Sequence, residues 1–119
     1  DVNFSGRLNG LELQKALASA IALAYVSYFE GFGIPIVEAF YTGTPVITSN
    51  ITSMPEVAGD AALLVDPFSP EDIASALSKM ATDKKLRERL IEKGDKRKLE
   101  FHWQKTADNL WSSILKTIN

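Results

Sequence analysis

The chain has 119 residues, with 13 Lys plus Arg against 15 Asp plus Glu for a formal charge of −2, and is 45% hydrophobic and 24% charged. These proportions fit one small domain with a buried core and argue against a disordered, collagenous or low-complexity chain. Zero cysteines exclude disulfides, thiolate nucleophiles and zinc–thiolate sites, and the single histidine, His102, leaves no cluster for a histidine-based metal site. No stretch approaches the roughly 18–20 uncharged apolar residues of a membrane span, and DVNFSGRLNG lacks the basic start and apolar run of a signal peptide, so neither is expected.

In chain order, four short runs rich in branched residues and lacking a regular polar face read as strands: Val2–Phe4, Ile21–Val26, Val46–Thr48 and Ala62–Val65. Between them lie the helical patterns LELQKALASA and IPIVEAFYTG and the short PEVAG. Strands alternating with helices predict an α/β fold, a Rossmann-like parallel sheet with flanking helices. Beyond Asp66 the pattern is wholly helical. Ser69 reads as an N-cap with Pro70 at the first helical position, and Ile73, Ala76, Leu77 and Met80 form an inner stripe. A second helix is expected from about Asp83 to Lys98, and a last one carries Ala107, Leu110, Trp111, Ile114, Leu115 and Ile118 on one face.

The small net charge conceals a segregation: residues 1–78 hold 2 basic and 9 acidic groups, residues 79–105 hold 10 and 5. In the basic stretch Leu86, Leu90 and Ile91 recur at helical spacing between charges, as on a solvated outer face, so no nucleic-acid partner is expected.

Four strands make a thin sheet, and open parallel sheets bind ligands where strand order reverses, which needs strands on both sides of that point. The expectation is therefore a partial domain over residues 1–119, truncated at its N-terminus.

The chemistry concentrates after the second strand, in Glu30-Gly31-Phe32-Gly33-Ile34-Pro35-Ile36-Val37-Glu38-Ala39-Phe40. Two glycines around one aromatic residue make a turn, and Pro35 suits the first turn of the following helix. Such a turn lets a ligand approach the backbone, and the unbonded N–H groups at Gly33 to Ile36, Pro35 excepted, favour a phosphate or diphosphate. Ile36 stands where a dinucleotide fingerprint requires its third glycine, which disfavours a Rossmann dehydrogenase. Carboxylates repel phosphates but accept hydrogen bonds from sugar hydroxyls, so Glu30 and Glu38 would suit a diphosphate carried between two polyols. On spacing alone, Glu38 complementing a helix N-terminus and Glu30 in solvent is the slightly favoured account, and spacing does not decide between the two.

The E-x7-E stretch Glu30 to Glu38, followed by Gly43-Thr44-Pro45-Val46-Ile47 and by Met54-Pro55-Glu56-Val57-Ala58-Gly59-Asp60, resembles the nucleotide-sugar site of retaining glycosyltransferases of the GT-B fold, family 4. The likeness runs from Phe4-Ser5-Gly6-Arg7 through Asp66-Pro67 and more loosely to the Trp103 helix. It implies a nucleotide-sugar-binding C-terminal domain, with the upstream strands and an N-terminal acceptor domain lying outside this chain. By position, Glu30 would lie by the transferred sugar as the catalytic carboxylate, and main-chain amides of Gly31, Phe32, Gly33 and Ile34 would contact sugar and phosphates. Glu38 would hold the ribose, and Gly6, Arg7 and Leu8 would form a wall for the base. Arg7 reads equally as a surface cation, His102 as structural or exposed, and Phe101, Trp103 and Trp111 as core or docking aromatics.

The resemblance further implies retention at the anomeric carbon, no metal or other cofactor, and a nucleoside-diphosphate sugar as donor. The acceptor would be a saccharide or lipid-linked glycan bound by the other domain. Relatives neutralise the diphosphate with an Arg and a Lys from the preceding half of this domain, so the 119 residues alone are expected to be inactive and to bind donor weakly at most. A cytoplasmic setting is implied, with peripheral membrane attachment at its inner face left open, and an uncovered apolar face on the last helix would promote self-association. The rival readings are a sugar-nucleotide epimerase of the same fold and a non-catalytic nucleotide-sugar-binding paralogue.

Overall fold

A computed structural model describes residues 2–118. Helix α1 (Gly10–Ser19) starts at a capping box: the Asn9 side chain accepts from the Glu12 N–H at 3.0 Å, and the Glu12 carboxylate accepts from the Asn9 N–H at 2.9 Å. There follow β1 (Leu23–Tyr25), α2 (Ile34–Thr42), β2 (Val46–Ser49), α3 (Met54–Ala58), β3 (Ala62–Val65), α4 (Pro70–Thr82), α5 (Lys84–Arg97), a 3₁₀ turn over Lys98–Glu100, and α6 (Trp103–Ile118).

The three strands are parallel in the order β1-β2-β3, with Leu23 opposite Val46 and Val46 opposite Ala62. Every residue of β2 is buried, because successive side chains enter opposite core layers. Val46 packs with Ile36, Ala39, Phe40, Met54, Val57 and Ala58 from α2 and α3. Ile47 packs on the other side with Val65, Ala76, Met80, Leu86 and Leu90, from β3, α4 and α5. Covering on both faces is what an all-parallel sheet requires.

The expected strand at Val2–Phe4 does not form: these residues have no strand pairing, and Phe4 is 96% exposed. Branched and aromatic composition favours extended backbone, but a strand exists only where its N–H and C=O groups find a ladder. Likewise β1 is shorter than Ile21–Val26, for Ile21 is exposed while Ala22 and Val26 reach the second core layer from outside the ladder.

The helical half follows its local signals. Ser69 caps α4 by accepting from the Asp72 N–H at 3.1 Å, with Pro70 at the first position, and Asp83 caps α5 by accepting from the Leu86 N–H at 2.9 Å. The basic residues of α5 are largely solvated, with ion pairs such as Lys96–Glu92 at 2.8 Å and Lys93–Asp60 at 2.8 Å. Helix α6 differs, for all its described residues are exposed, Trp111 and Leu110 among them. Among the described residues no helix is long and apolar enough to cross a membrane.

Candidate functional site

Strand β1 leaves the sheet at Tyr25, and hydroxyls at the end of β2 fix its path. Thr48 Oγ1 donates to Tyr25 O at 2.8 Å, and Ser49 Oγ donates to Ser27 O. Both side chains are buried, so they serve the turn and offer nothing to a ligand. Ser53 Oγ lies 2.9 Å from Glu30 O and 3.1 Å from Phe32 O, so its single proton is shared between two carbonyls of the glycine turn. The next residue back, Thr52, adopts φ 57°, uncommon for a β-branched residue, at the loop that carries Ser53 to this position.

With those carbonyls tied down, the N–H groups of Gly31, Phe32, Gly33 and Ile34 donate to no protein acceptor among the described residues. Gly33 is the N-cap of α2 at φ 101°, and a Cβ there would stand 3.2 Å from both Ile36 Cδ1 and Met54 Sδ. The Ile36 N–H bonds back to Gly33 O at 3.0 Å, which corrects the expected run of open amides: it ends at Ile34. Gly31, Phe32 and Ile34 are exposed, so the turn is open to solvent and to anions.

Glu30 is half-buried with its carboxylate held from one side. Its Oε1 accepts from Tyr25 Oη at 2.6 Å and from Ser27 Oγ at 3.2 Å, whereas Oε2 receives no bond among the described residues. The bond to Glu30, with burial in support, raises the Tyr25 phenol above its usual pKa and keeps it a donor.

Glu38 is exposed on α2 and lines a cleft of about 390 Å³ between α1 and α2, with Gly10, Leu13, Gln14, Leu17, Tyr41 and Thr42. Glu30 does not line that cleft, so the two carboxylates face different surroundings. Gly6, at φ 67°, and Arg7 are exposed and Leu8 is half-buried, in irregular chain just ahead of α1.

A second cleft, of about 260 Å³, separates the glycine turn from α3 and the end of α5. Phe32 meets Phe101 edge to face at 5.7 Å, and the Arg97 guanidinium lies 5.2 Å from the Phe101 ring centre. Arg97 also donates to Val57 O at 3.1 Å, to Glu56 O, and to the Glu100 carboxylate at 2.7 Å, binding the end of α3 to α5. Phe101 is thus a packing aromatic, whereas Trp103 and Trp111 are exposed. His102 is exposed, with Nδ1 accepting from the Lys105 N–H at 3.3 Å at the head of α6. No group of three or more His, Cys, Asp or Glu among the described residues is arranged to hold a metal.

Sequence reasoning missed Tyr25, Ser27, Ser53 and Arg97. Hydroxyls five and three residues before Glu30, and a serine ahead of Met54-Pro55, were the available signals.

Residues 1–97 match the family model described as Glycosyl transferases group 1. The chain is 36% identical over 103 residues to O-antigen chain mannosyltransferase B of Escherichia coli, a match covering 87% of this chain and 27% of that protein. It is also 36% identical over 110 residues to the MMP alpha-(1->4)-mannosyltransferase of Mycolicibacterium hassiacum, covering 89% and 27%. The solved sucrose-phosphate synthase of Thermosynechococcus elongatus superposes with a TM-score of 0.78 at 27% identity, over 97% of this chain and 30% of that one. The chain spans about 27–30% of the length of these relatives. The match over residues 1–97 takes in the sheet, the glycine turn and every helix through α5, and on it this chain belongs to the group 1 glycosyltransferases.

Proposed function

We propose that this chain supplies the donor-binding part of a retaining glycosyltransferase that moves a sugar from a nucleoside diphosphate to an acceptor hydroxyl. The observation that carries the reading is the run of four consecutive main-chain N–H groups, Gly31 to Ile34, without protein acceptors at the open head of α2. As the bond from the anomeric carbon to the diphosphate breaks, negative charge builds on the leaving group. Preorganised amides and the helix dipole stabilise that charge at no cost in reorganisation. Glu30 fits the sugar side, because Tyr25 and Ser27 occupy Oε1 and leave Oε2 to accept from a sugar hydroxyl. Glu38, exposed in the cleft beside α1, fits the ribose, and Gly6, Arg7 and Leu8 precede the same helix as a wall for the base. No metal enters this scheme. The relative named for an O-antigen chain favours a glycan acceptor, bound by a part of the protein beyond this chain. A cytoplasmic setting, where activated sugars are made, suits the reading.

The test titrates UDP-, GDP- and ADP-sugars against the complete protein that carries this chain, then assays transfer and the product's anomeric configuration. Glu38→Ala is expected to raise the donor Kd about tenfold, the loss of a charge-assisted hydrogen bond. Glu30→Ala is expected to lower kcat about a hundredfold with a smaller change in Kd. Parent-like constants for both variants would overturn the assignment, and an inverted product would overturn retention.

A further inference from the structure

If Glu30 acts on the transferred sugar, something must hold its carboxylate, since Glu30 is only half-buried and both its chain neighbours, Phe29 and Gly31, are exposed. We infer that Tyr25 is a positioning residue for the transfer reaction, fixing the Glu30 carboxylate through its phenol so that the second carboxylate oxygen meets the substrate in one orientation. This rests on the proposed role of Glu30.

Three observations converge on it. The Tyr25 Oη to Glu30 Oε1 distance of 2.6 Å is that of a strong hydroxyl–carboxylate bond. Tyr25 is itself anchored: it lies in β1 opposite Thr48, whose hydroxyl donates to its carbonyl, and, partly buried, it packs against the core layer beneath α2. The grip therefore runs from the sheet to the turn, while the second donor, Ser27, lies beyond the end of β1 and bonds at the longer distance of 3.2 Å. Both donors use the same oxygen, so they constrain rotation of the carboxylate without consuming the other acceptor. Sites built on strands hold reacting groups more closely than sites built on loops alone.

Tyr25→Phe keeps the ring and removes only the hydroxyl. In the complete protein it is expected to lower kcat about tenfold with donor Kd unchanged, the pattern of a misplaced group and not of lost binding. In a Glu30→Gln background the same substitution is expected to cost nothing further, because it acts through that carboxylate. A Tyr25→Phe protein as active as the parent, or a loss that multiplies with that of Glu30→Gln, overturns the proposal. If Glu30→Gln alone leaves kcat intact, the underlying reading of Glu30 has failed, and Tyr25 with it. A readout independent of activity is the titration of Tyr25 followed by NMR of its labelled ring carbon. The phenol should titrate higher in the parent than in Glu30→Gln, and identical midpoints would refute the bond itself.

Discussion

The backbone of Gly94 in α5 lies directly against the ring of Phe40 in α2, so close that a Cβ at Gly94 would stand 2.8 Å from Phe40 Cδ1. Gly94→Ala should gain up to about 1 kcal/mol in helix propensity and lose about 1–3 kcal/mol to overpacking. Overpacking wins, because Phe40 is buried among Ile36, Val46 and Val57 and its ring has nowhere to turn. Urea denaturation should show a lower midpoint at unchanged slope, with a net loss of about 1 kcal/mol. A variant as stable as the parent would mean that α5 slides freely over α2.

The glycine turn gives a paired prediction. Gly33 needs φ 101° and has Ile36 and Met54 at 3.2 Å from a would-be Cβ, while a Cβ on Gly31 would meet nothing within 4 Å. Gly33→Ala should therefore destabilise the fold by about 1–2 kcal/mol, and Gly31→Ala should stay within about 0.5 kcal/mol of the parent. Equal midpoints for the two in thermal unfolding would contradict the geometry of this turn.

These two glycines also mark what was readable in the residues alone. Where structure is dictated by neighbours in sequence, the reading was close: Ser69-Pro70 and Asp83 start helices, and Gly43 ends α2 at φ 70°. Where it depends on a distant partner, the reading fell short. Val2–Phe4 has strand composition but no ladder to join. Arg97 reaches back forty residues to the carbonyl of Val57, a contact that no periodicity announces. Within the site, the glycine turn was plain from its motif, but the hold of Tyr25 on Glu30 depends on how the turn curls back on β1.

That hold predicts a pH dependence. The folded state raises the Tyr25 pKa above the ordinary value of 10.0, chiefly through the bond to Glu30. The unfolded chain thus loses the phenolic proton first as pH rises, so the stabilisation is complete below the unfolded pKa and disappears as pH climbs through the folded one. Unfolding free energy should fall with pH above about 10 more steeply in the parent than in Tyr25→Phe, measured by denaturant titration in alkaline buffers. Parallel slopes would show that the phenol is not coupled to folding.

Deletion of residues 103–119 should change the unfolding free energy by less than about 1 kcal/mol, since no described residue of α6 is buried in the core. It should also reduce self-association in sedimentation, by removing an apolar stripe that includes Leu110, Trp111, Ile114 and Leu115. Loss of folding on deletion would show that α6 packs against the body of the chain.

The sheet order β1-β2-β3 leaves β1 as a border, three residues long, paired among the described residues with β2 alone. Its far side presents main-chain donors and acceptors to whatever adjoins it, so any additional polypeptide laid alongside Leu23–Tyr25 would widen the sheet without disturbing β2. The strand whose Tyr25 holds Glu30 is thus also an edge strand of the sheet, with its outer main-chain groups open to pairing.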